Sequence, residues 1–308
     1  MSNERGQMSI DRLKELVRER SRRAEMPLEE RRAIMDMNSD MFPVPEGVAV
    51  EPADLGGLKG EWSIPAGAGE APVLLYFHGG GYLLGSSRSH RHLTSRLALA
   101  SNARVLSVDY ALAPEHPFPA GVRDGLASYR WLLDKGHAPE KIAIGGDSAG
   151  GGLTMATLLA ARDEGLPMPG AAILISPWTD LTCDTGSYRS KADADPMITP
   201  QSIRETAATY LAGAAASDPL ASPNLADLTG MPPMLIHVGS DEVLLDDSRD
   251  LEKRAVAAGV DAEIEIWDGM IHVWHAFYQM LPEGEQAIER MGSYLSAKWN
   301  SAEKIPVI

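Results

Sequence analysis

Side chains suited to acyl-transfer chemistry stand at four points along this 308-residue chain. The first is Gly146-Asp147-Ser148-Ala149-Gly150, which follows an apolar run at 142–144 and opens a stretch rich in Ala and Leu. A serine in that setting sits on a tight strand–turn–helix elbow that lifts its Oγ above the sheet. The flanking glycines remove side chains that would collide with so sharp a turn. The helix that follows aims its N-terminal amides and dipole at the place where negative charge would develop. A glycine-rich turn that only packs tightly, or that binds a phosphate, shares part of this pattern. Ser148 is the candidate nucleophile.

The second point is His78-Gly79-Gly80-Gly81, just after the apolar run 73–77. Backbone amides can stabilise an oxyanion only where the chain approaches very closely, and glycine permits that approach. The amides of Gly80, Gly81 and Ala149 are the expected oxyanion-hole donors, with Gly79 shaping the turn. His78 is expected to brace this loop rather than to act as the base. A glycine-rich loop alone says little; one placed before an elbow, in this chain order, says much more.

The base and the acid follow downstream. Only His237, His272 and His275 lie beyond Ser148. His237 falls inside an apolar run and reads as a core residue. His272, in Asp268-Gly269-Met270-Ile271-His272, follows the last strand in a loop that could lean over Ser148; His275 is its competitor. The acid should sit just beyond a strand end. Asp241, in Gly239-Ser240-Asp241-Glu242, does so, whereas Asp246 and Asp247 read as first-turn carboxylates of the next helix. The expected triad is Ser148, His272 and Asp241, with Asp241 holding the imidazole tautomer.

Strands and helices must carry these groups to one rim. Hydrophobic patterning predicts strands over 48–51, 59–64, 73–77, 104–109, 141–145, 171–175, 234–238 and 262–267. Helical patterns fall between them at 89–100, 121–135, 149–164, 247–258 and 283–298. The middle strands are nearly continuous apolar runs, as parallel strands covered on both faces should be. The last alternates Ile264 and Ile266 with Glu263 and Glu265, as a half-wet edge strand does. The expected architecture is an α/β-hydrolase fold, an eight-stranded mostly parallel sheet with helices on both faces.

Two stretches fall outside that alternation. In the first 45 residues, Ser9 can cap a helix carrying Ile10, Leu13, Leu16 and Val17 on one face, and Pro27 can open a second through Leu28, Ile34 and Met37. Pro43 and Pro45 close this region. Met26, Met35, Met37 and Met41 crowd it, either padding an apolar face or lining a pocket mouth. More than fifty residues, with a helix over 200–211, separate the strands ending at 175 and beginning at 234. Connections that long usually carry a lid or a binding surface.

Composition narrows the function. Hydrophobic residues make up 44% and charged residues 23% of the chain, which places it among globular proteins. A net charge of −15 repels phosphate backbones and anionic lipids, so neither nucleic acid nor membrane is an expected partner. Cys183 is the only cysteine, which excludes an internal disulfide and suits a reducing compartment. With no signal-peptide pattern and no apolar run of roughly 18 residues, a cytoplasmic location is expected.

With these residues assembled, the chain resembles the bacterial hormone-sensitive-lipase-like esterases, in the branch carrying G-D-S-A-G. The resemblance spans about residues 73 to 276. It includes Asp109-Tyr110-Ala111-Leu112-Ala113-Pro114-Glu115-His116-Pro117-Phe118-Pro119-Ala120, Ser176-Pro177-Trp178-Thr179-Asp180-Leu181 and Asp195-Pro196-Met197. The family's acid segment usually reads D-P-L, and this chain has Asp241-Glu242-Val243 instead. The resemblance implies a cap made of residues 1–45 and 177–224 over a catalytic domain of 46–176 and 225–308. It implies a carboxylesterase acting on short- to medium-chain acyl esters through an acyl-enzyme. Alternatives are a lactone or acetyl-ester hydrolase of one metabolite, or a non-catalytic small-molecule binder. No cofactor and no metal are expected. The expected partner is a small ester, and the one protein partner considered is a second copy in a homodimer.

Overall fold

The computed structural model describes residues 8–21, 26–40 and 42–302; Met41 lies outside them. Two helices, α1 (Ile10–Ser21) and α2 (Leu28–Asp40), precede β1 (Val48–Asp54) and β2 (Lys59–Pro65). Alternation follows through β3 (Val73–Phe77), α3 (Arg91–Ser101), β4 (Arg104–Val108), α4 (Ala120–Asp134), β5 (Ile142–Asp147), α5 (Ala149–Asp163) and β6 (Ala171–Ile175). Next come α6 (Ser187–Ser190) and α7 (Pro200–Leu211). The chain then runs through β7 (Met234–Gly239), α8 (Leu245–Ala257), β8 (Ala262–Trp267) and α9 (Pro282–Ala302).

The eight strands form one sheet in the order β1-β2-β4-β3-β5-β6-β7-β8. The first two pairings, β1 with β2 and β2 with β4, are antiparallel. From β4 to β8 every pairing is parallel. The chain is an α/β hydrolase in architecture, with an eight-stranded, mostly parallel sheet.

The period-2 geometry of a strand explains the apolar runs, because each central strand feeds two cores. Val73, Leu75 and Phe77 of β3 join one cluster with Ile142, Ile144, Ala172, Leu174 and Ile236. Leu74 and Tyr76 point the other way, joining Ala143, Ile173, Ile175 and Leu235 with Leu93, Leu97 and Leu295 of α3 and α9. A polar residue at any of these places would be desolvated on one face or the other. At the edge, β8 departs from simple alternation: Ile266 is 42% exposed.

Local chemistry sets the helix ends. Arg12 N donates to Ser9 Oγ at 3.3 Å, opening α1. A reciprocal capping box between Thr199 and Ser202, with Pro200 in the first turn, opens α7. Asp109 falls just past β4, where its carboxylate accepts from Ser87 N at 2.6 Å and Ser87 Oγ at 3.1 Å. A third cluster packs Leu13 and Val17 of α1 on Met270, Ile271 and Trp274, so the first helix rests on the loop after β8.

Candidate active site

Ser148 occupies the junction of β5 and α5 with φ 54 and ψ −121, a left-handed backbone that a serine adopts only under constraint. The glycines beside it are a steric necessity. A Cβ on Gly146 would meet the Phe77 carbonyl and the Gly150 backbone, and one on Gly150 would meet the carbonyls of Phe77 and His78. Ser148 N donates to Ile175 O at 2.8 Å, and Ser148 O accepts from Trp178 N at 2.9 Å. The elbow is thereby tied to the end of β6.

His272 reaches it from the far rim. Its Nε2 lies 2.9 Å from Ser148 Oγ, and its Nδ1 lies 2.8 Å from Glu242 Oε2. An ionised carboxylate only accepts, so Nδ1 carries the proton and Nε2 is left to accept from the serine. Burial pulls the imidazole pKa down, but the hydrogen bond and charge of Glu242, with Asp195 and Asp147 beyond, outweigh it and leave the value raised. Glu242 is itself fully buried; its Oε1 accepts from Ser176 Oγ at 2.7 Å and Gly239 N at 2.6 Å.

The expectation that Asp241 is the acid is corrected by one residue. Asp241 turns outward, where Lys14 Nζ lies 2.7 Å from its Oδ2 and Lys191 Nζ 3.8 Å from its Oδ1. Neighbouring side chains leave this turn in opposite directions, and the inward one belongs to Glu242. A signal for this exists in the sequence: Glu242 precedes the apolar run Val243-Leu244-Leu245, where an unpaired carboxylate would be costly.

The competing groups are engaged elsewhere. His275 is buried with its Nε2 3.1 Å from His237 Nδ1, away from the serine. Burial, then the neighbouring His237, hold its pKa well below the ordinary imidazole value. Asp246 pairs with Arg249 at 3.1 Å in the first turn of α8. Asp247 is buried and accepts from Thr179 N at 3.2 Å and Asp180 N at 3.0 Å. Burial, then the charge of Asp180, push its pKa well above the usual carboxylate range.

The glycine loop after β3 completes the arrangement. Gly79 N donates to Asp147 Oδ1 at 3.1 Å, so this amide is already taken. Asp147 also accepts from Tyr76 Oη at 2.8 Å and lies 3.4 Å from His90 Nε2. Gly80 and Gly81 have φ 121 and 65, and their amides donate to no acceptor among the described residues. Ala149 supplies the first amide of α5, which helix geometry leaves without an internal partner. His78 braces the loop: its ring stacks on Tyr110 at 4.3 Å, its Nδ1 lies 2.8 Å from Gly79 O, and burial lowers its pKa to about 3.

Helices from the two stretches outside the alternation surround this rim. Arg32 of α2 donates to the carbonyls of Leu83 at 2.8 Å and Ala113 at 2.9 Å and grips Glu115 with both terminal nitrogens. From α7, Thr206 brings its methyl so near Gly81 that a Cβ there would lie 2.8 Å from it. Tyr210 stacks on Tyr82 with ring centroids 3.8 Å apart.

A serine on a strained elbow, an imidazole, a buried carboxylate and converging amides on this sheet define an α/β hydrolase. A family model of the α/β hydrolase fold matches residues 74–276, and the chain belongs to that family. It is 46% identical over 271 residues to an acetyl-hydrolase of Streptomyces hygroscopicus, covering 87% of this chain and 89% of that one. An esterase of Acinetobacter venetianus is 34% identical over 267 residues, covering 86% and 88%. Among solved structures, EstE5 soaked with p-nitrophenyl butyrate superposes with a TM-score of 0.91 at 51% identity, covering 94% of this chain and 98% of that one. An esterase from the bacterial hormone-sensitive lipase family superposes at 0.90 with 44% identity, covering 97% and 100%. Within the family the chain falls in this hormone-sensitive-lipase branch, as a serine ester hydrolase.

Proposed function

We propose that this protein hydrolyses carboxylic esters of short- to medium-chain acids with Ser148 as nucleophile, His272 as general base and acid, and Glu242 as the orienting carboxylate. The observation that carries the reading is the unbroken relay from Ser148 Oγ through His272 to Glu242, at 2.9 and 2.8 Å. His272 takes the serine proton as Oγ attacks the ester carbonyl, and the imidazolium that forms is stabilised by Glu242. The amides of Gly80, Gly81 and Ala149 receive the oxyanion. His272 then protonates the departing alcohol, and water repeats the sequence on the acyl-serine to release the acid.

The name of the Streptomyces relative favours a narrower second reading, hydrolysis of acetyl esters. A panel of p-nitrophenyl esters from acetate to decanoate, with lactones added, separates the two. Labelling by a fluorophosphonate tests the centre itself, since only an activated serine reacts. Ser148→Ala should abolish both labelling and turnover, and ester hydrolysis retained by that variant would end the proposal. Residues 1–45 and 177–224 are assigned to the cap on the same reading, with support from the contacts of α1, α2 and α7 around the rim. Among the described residues no helix is long and apolar enough to cross a membrane.

A further inference from the structure

Ser176, directly after β6, touches Glu242 and the residue that follows His272. Its side chain is fully buried. The Oγ donates to Glu242 Oε1 at 2.7 Å and accepts from Val273 N at 3.2 Å. Glu242 holds His272 through its other oxygen, and Val273 is the residue directly after His272. The backbone of the same segment holds the serine elbow: Ser148 N donates to Ile175 O at 2.8 Å and Trp178 N to Ser148 O at 2.9 Å. Three residues within the four-residue segment 175–178 thus contact the acid, the base loop and the nucleophile.

The hydroxyl is used both as donor and as acceptor. A hydroxyl has one proton, which only the carboxylate can accept here, and lone pairs, of which the Val273 amide takes one. The direction of each hydrogen bond is therefore fixed. The backbone adds an independent sign. Ser176 has φ 46, in the left-handed region that glycine enters without steric cost and other residues avoid. Glycine would relieve the backbone but remove the whole hydroxymethyl group, whereas alanine would remove the hydroxyl alone and keep the strain. Keeping a strained serine at such a place marks the hydroxyl as the part that matters.

We propose that Ser176 is a positioning residue for catalysis, whose single hydroxyl fixes Glu242 and the loop bearing His272 in one frame so that the imidazole stays aligned on Ser148. This rests on the relay proposed above. Its loss leaves Glu242 Oε1 with the Gly239 amide alone and frees the start of the turn after His272.

The test uses Ser176→Gly and Ser176→Ala in the full chain, assayed with p-nitrophenyl butyrate across pH. Both should fold, with Ser176→Gly melting no lower than Ser176→Ala because it suits the backbone. Each should lose roughly tenfold to a hundredfold in kcat with KM within about twofold, as expected for a lost hydrogen bond to a charged group felt mainly in the transition state. The acidic limb of kcat/KM should move to higher pH, since a carboxylate short of one donor binds the imidazolium more strongly. The other charges facing His272, those of Asp195 and Asp147, are unchanged in both variants. In a Glu242→Gln background, Ser176→Gly should add little further loss. Wild-type kcat and pH profile in Ser176→Gly, or full additivity with Glu242→Gln, would overturn the proposal while leaving the relay intact. Wild-type turnover in Glu242→Gln or Ser148→Ala would overturn both.

Discussion

Lys14 Nζ lies 2.7 Å from Asp241 Oδ2, across 227 residues of chain, and so ties the first helix to the residue beside Glu242. The two neighbouring carboxylates have separate work: one anchors α1, the other holds the imidazole. Glu242→Gln should cost about 10⁴-fold in kcat, because an amide can favour the wrong imidazole tautomer. Asp241→Asn should keep kcat within a small factor and lower stability by about 1 kcal/mol or less, the usual range for a partly solvated ion pair. Steady-state kinetics and thermal melts on both variants check this, and a kinetic ranking in the opposite order would return the acid to Asp241.

The pH dependence has a defined sign. His272 accepts the serine proton only when neutral, and its pKa is raised by Glu242, Asp195 and Asp147 against the opposing effect of burial. Activity should therefore fall on acidification through a value above that of an ordinary imidazole. In Glu242→Gln the largest opposing influence is gone and burial prevails, so the residual activity should persist to lower pH. A limb that fails to move on this substitution would detach Glu242 from the titration.

Asp247 offers a stability test at a carboxylate outside the relay. Its folded pKa is raised by burial and by Asp180, so ionisation works against the fold. A raised folded pKa means the wild type loses stability as pH climbs through that value. Asn does not titrate, and its carbonyl can still accept from the Thr179 and Asp180 amides. Asp247→Asn should melt higher than wild type by on the order of 1 kcal/mol at neutral pH, with the gap closing in acid. A gap that stays constant from acid to neutral pH would show that Asp247 does not titrate in that range.

How much of this is legible in the sequence depends on how local the cause is. Ser148 and its glycines are legible because the collisions that require them arise within the elbow and its neighbouring strand. His272 is legible by chain order, as one of three downstream histidines, and by its place just past the last strand. The acid is legible only in part, since Asp241 and Glu242 are adjacent and alike in charge and only the apolar run after Glu242 favours one over the other. Which one turns inward depends on Gly239 lying against the Met270 carbonyl and on Lys14 arriving from the far end of the chain. Ser176 is hidden for the same reason, its partners lying 66 and 97 residues away. Ile266 looks inward-facing by alternation yet is half-exposed, because β8 has no strand beyond it.

The glycine loop after β3 meets α7 at a contact that can be separated genetically. Gly81 has φ 65, and a Cβ there would lie 2.8 Å from Thr206 Cγ2 on α7, a methyl group that can give way. Gly80 has φ 121, and a Cβ there would run into the Leu84 backbone, which cannot. Gly80→Ala should therefore lose both stability and activity. Gly81→Ala should fold and lose mainly kcat, by up to about 10²–10³-fold if the Gly81 amide is turned from the oxyanion. Adding Thr206→Ala removes the colliding methyl, so the double variant should recover much of that loss while KM changes little. An unchanged kcat in Gly81→Ala would place the donor elsewhere. A double variant no faster than the single one would show that the twist of the backbone at Gly81, and not the pressure of α7 on it, sets the alignment of the hole.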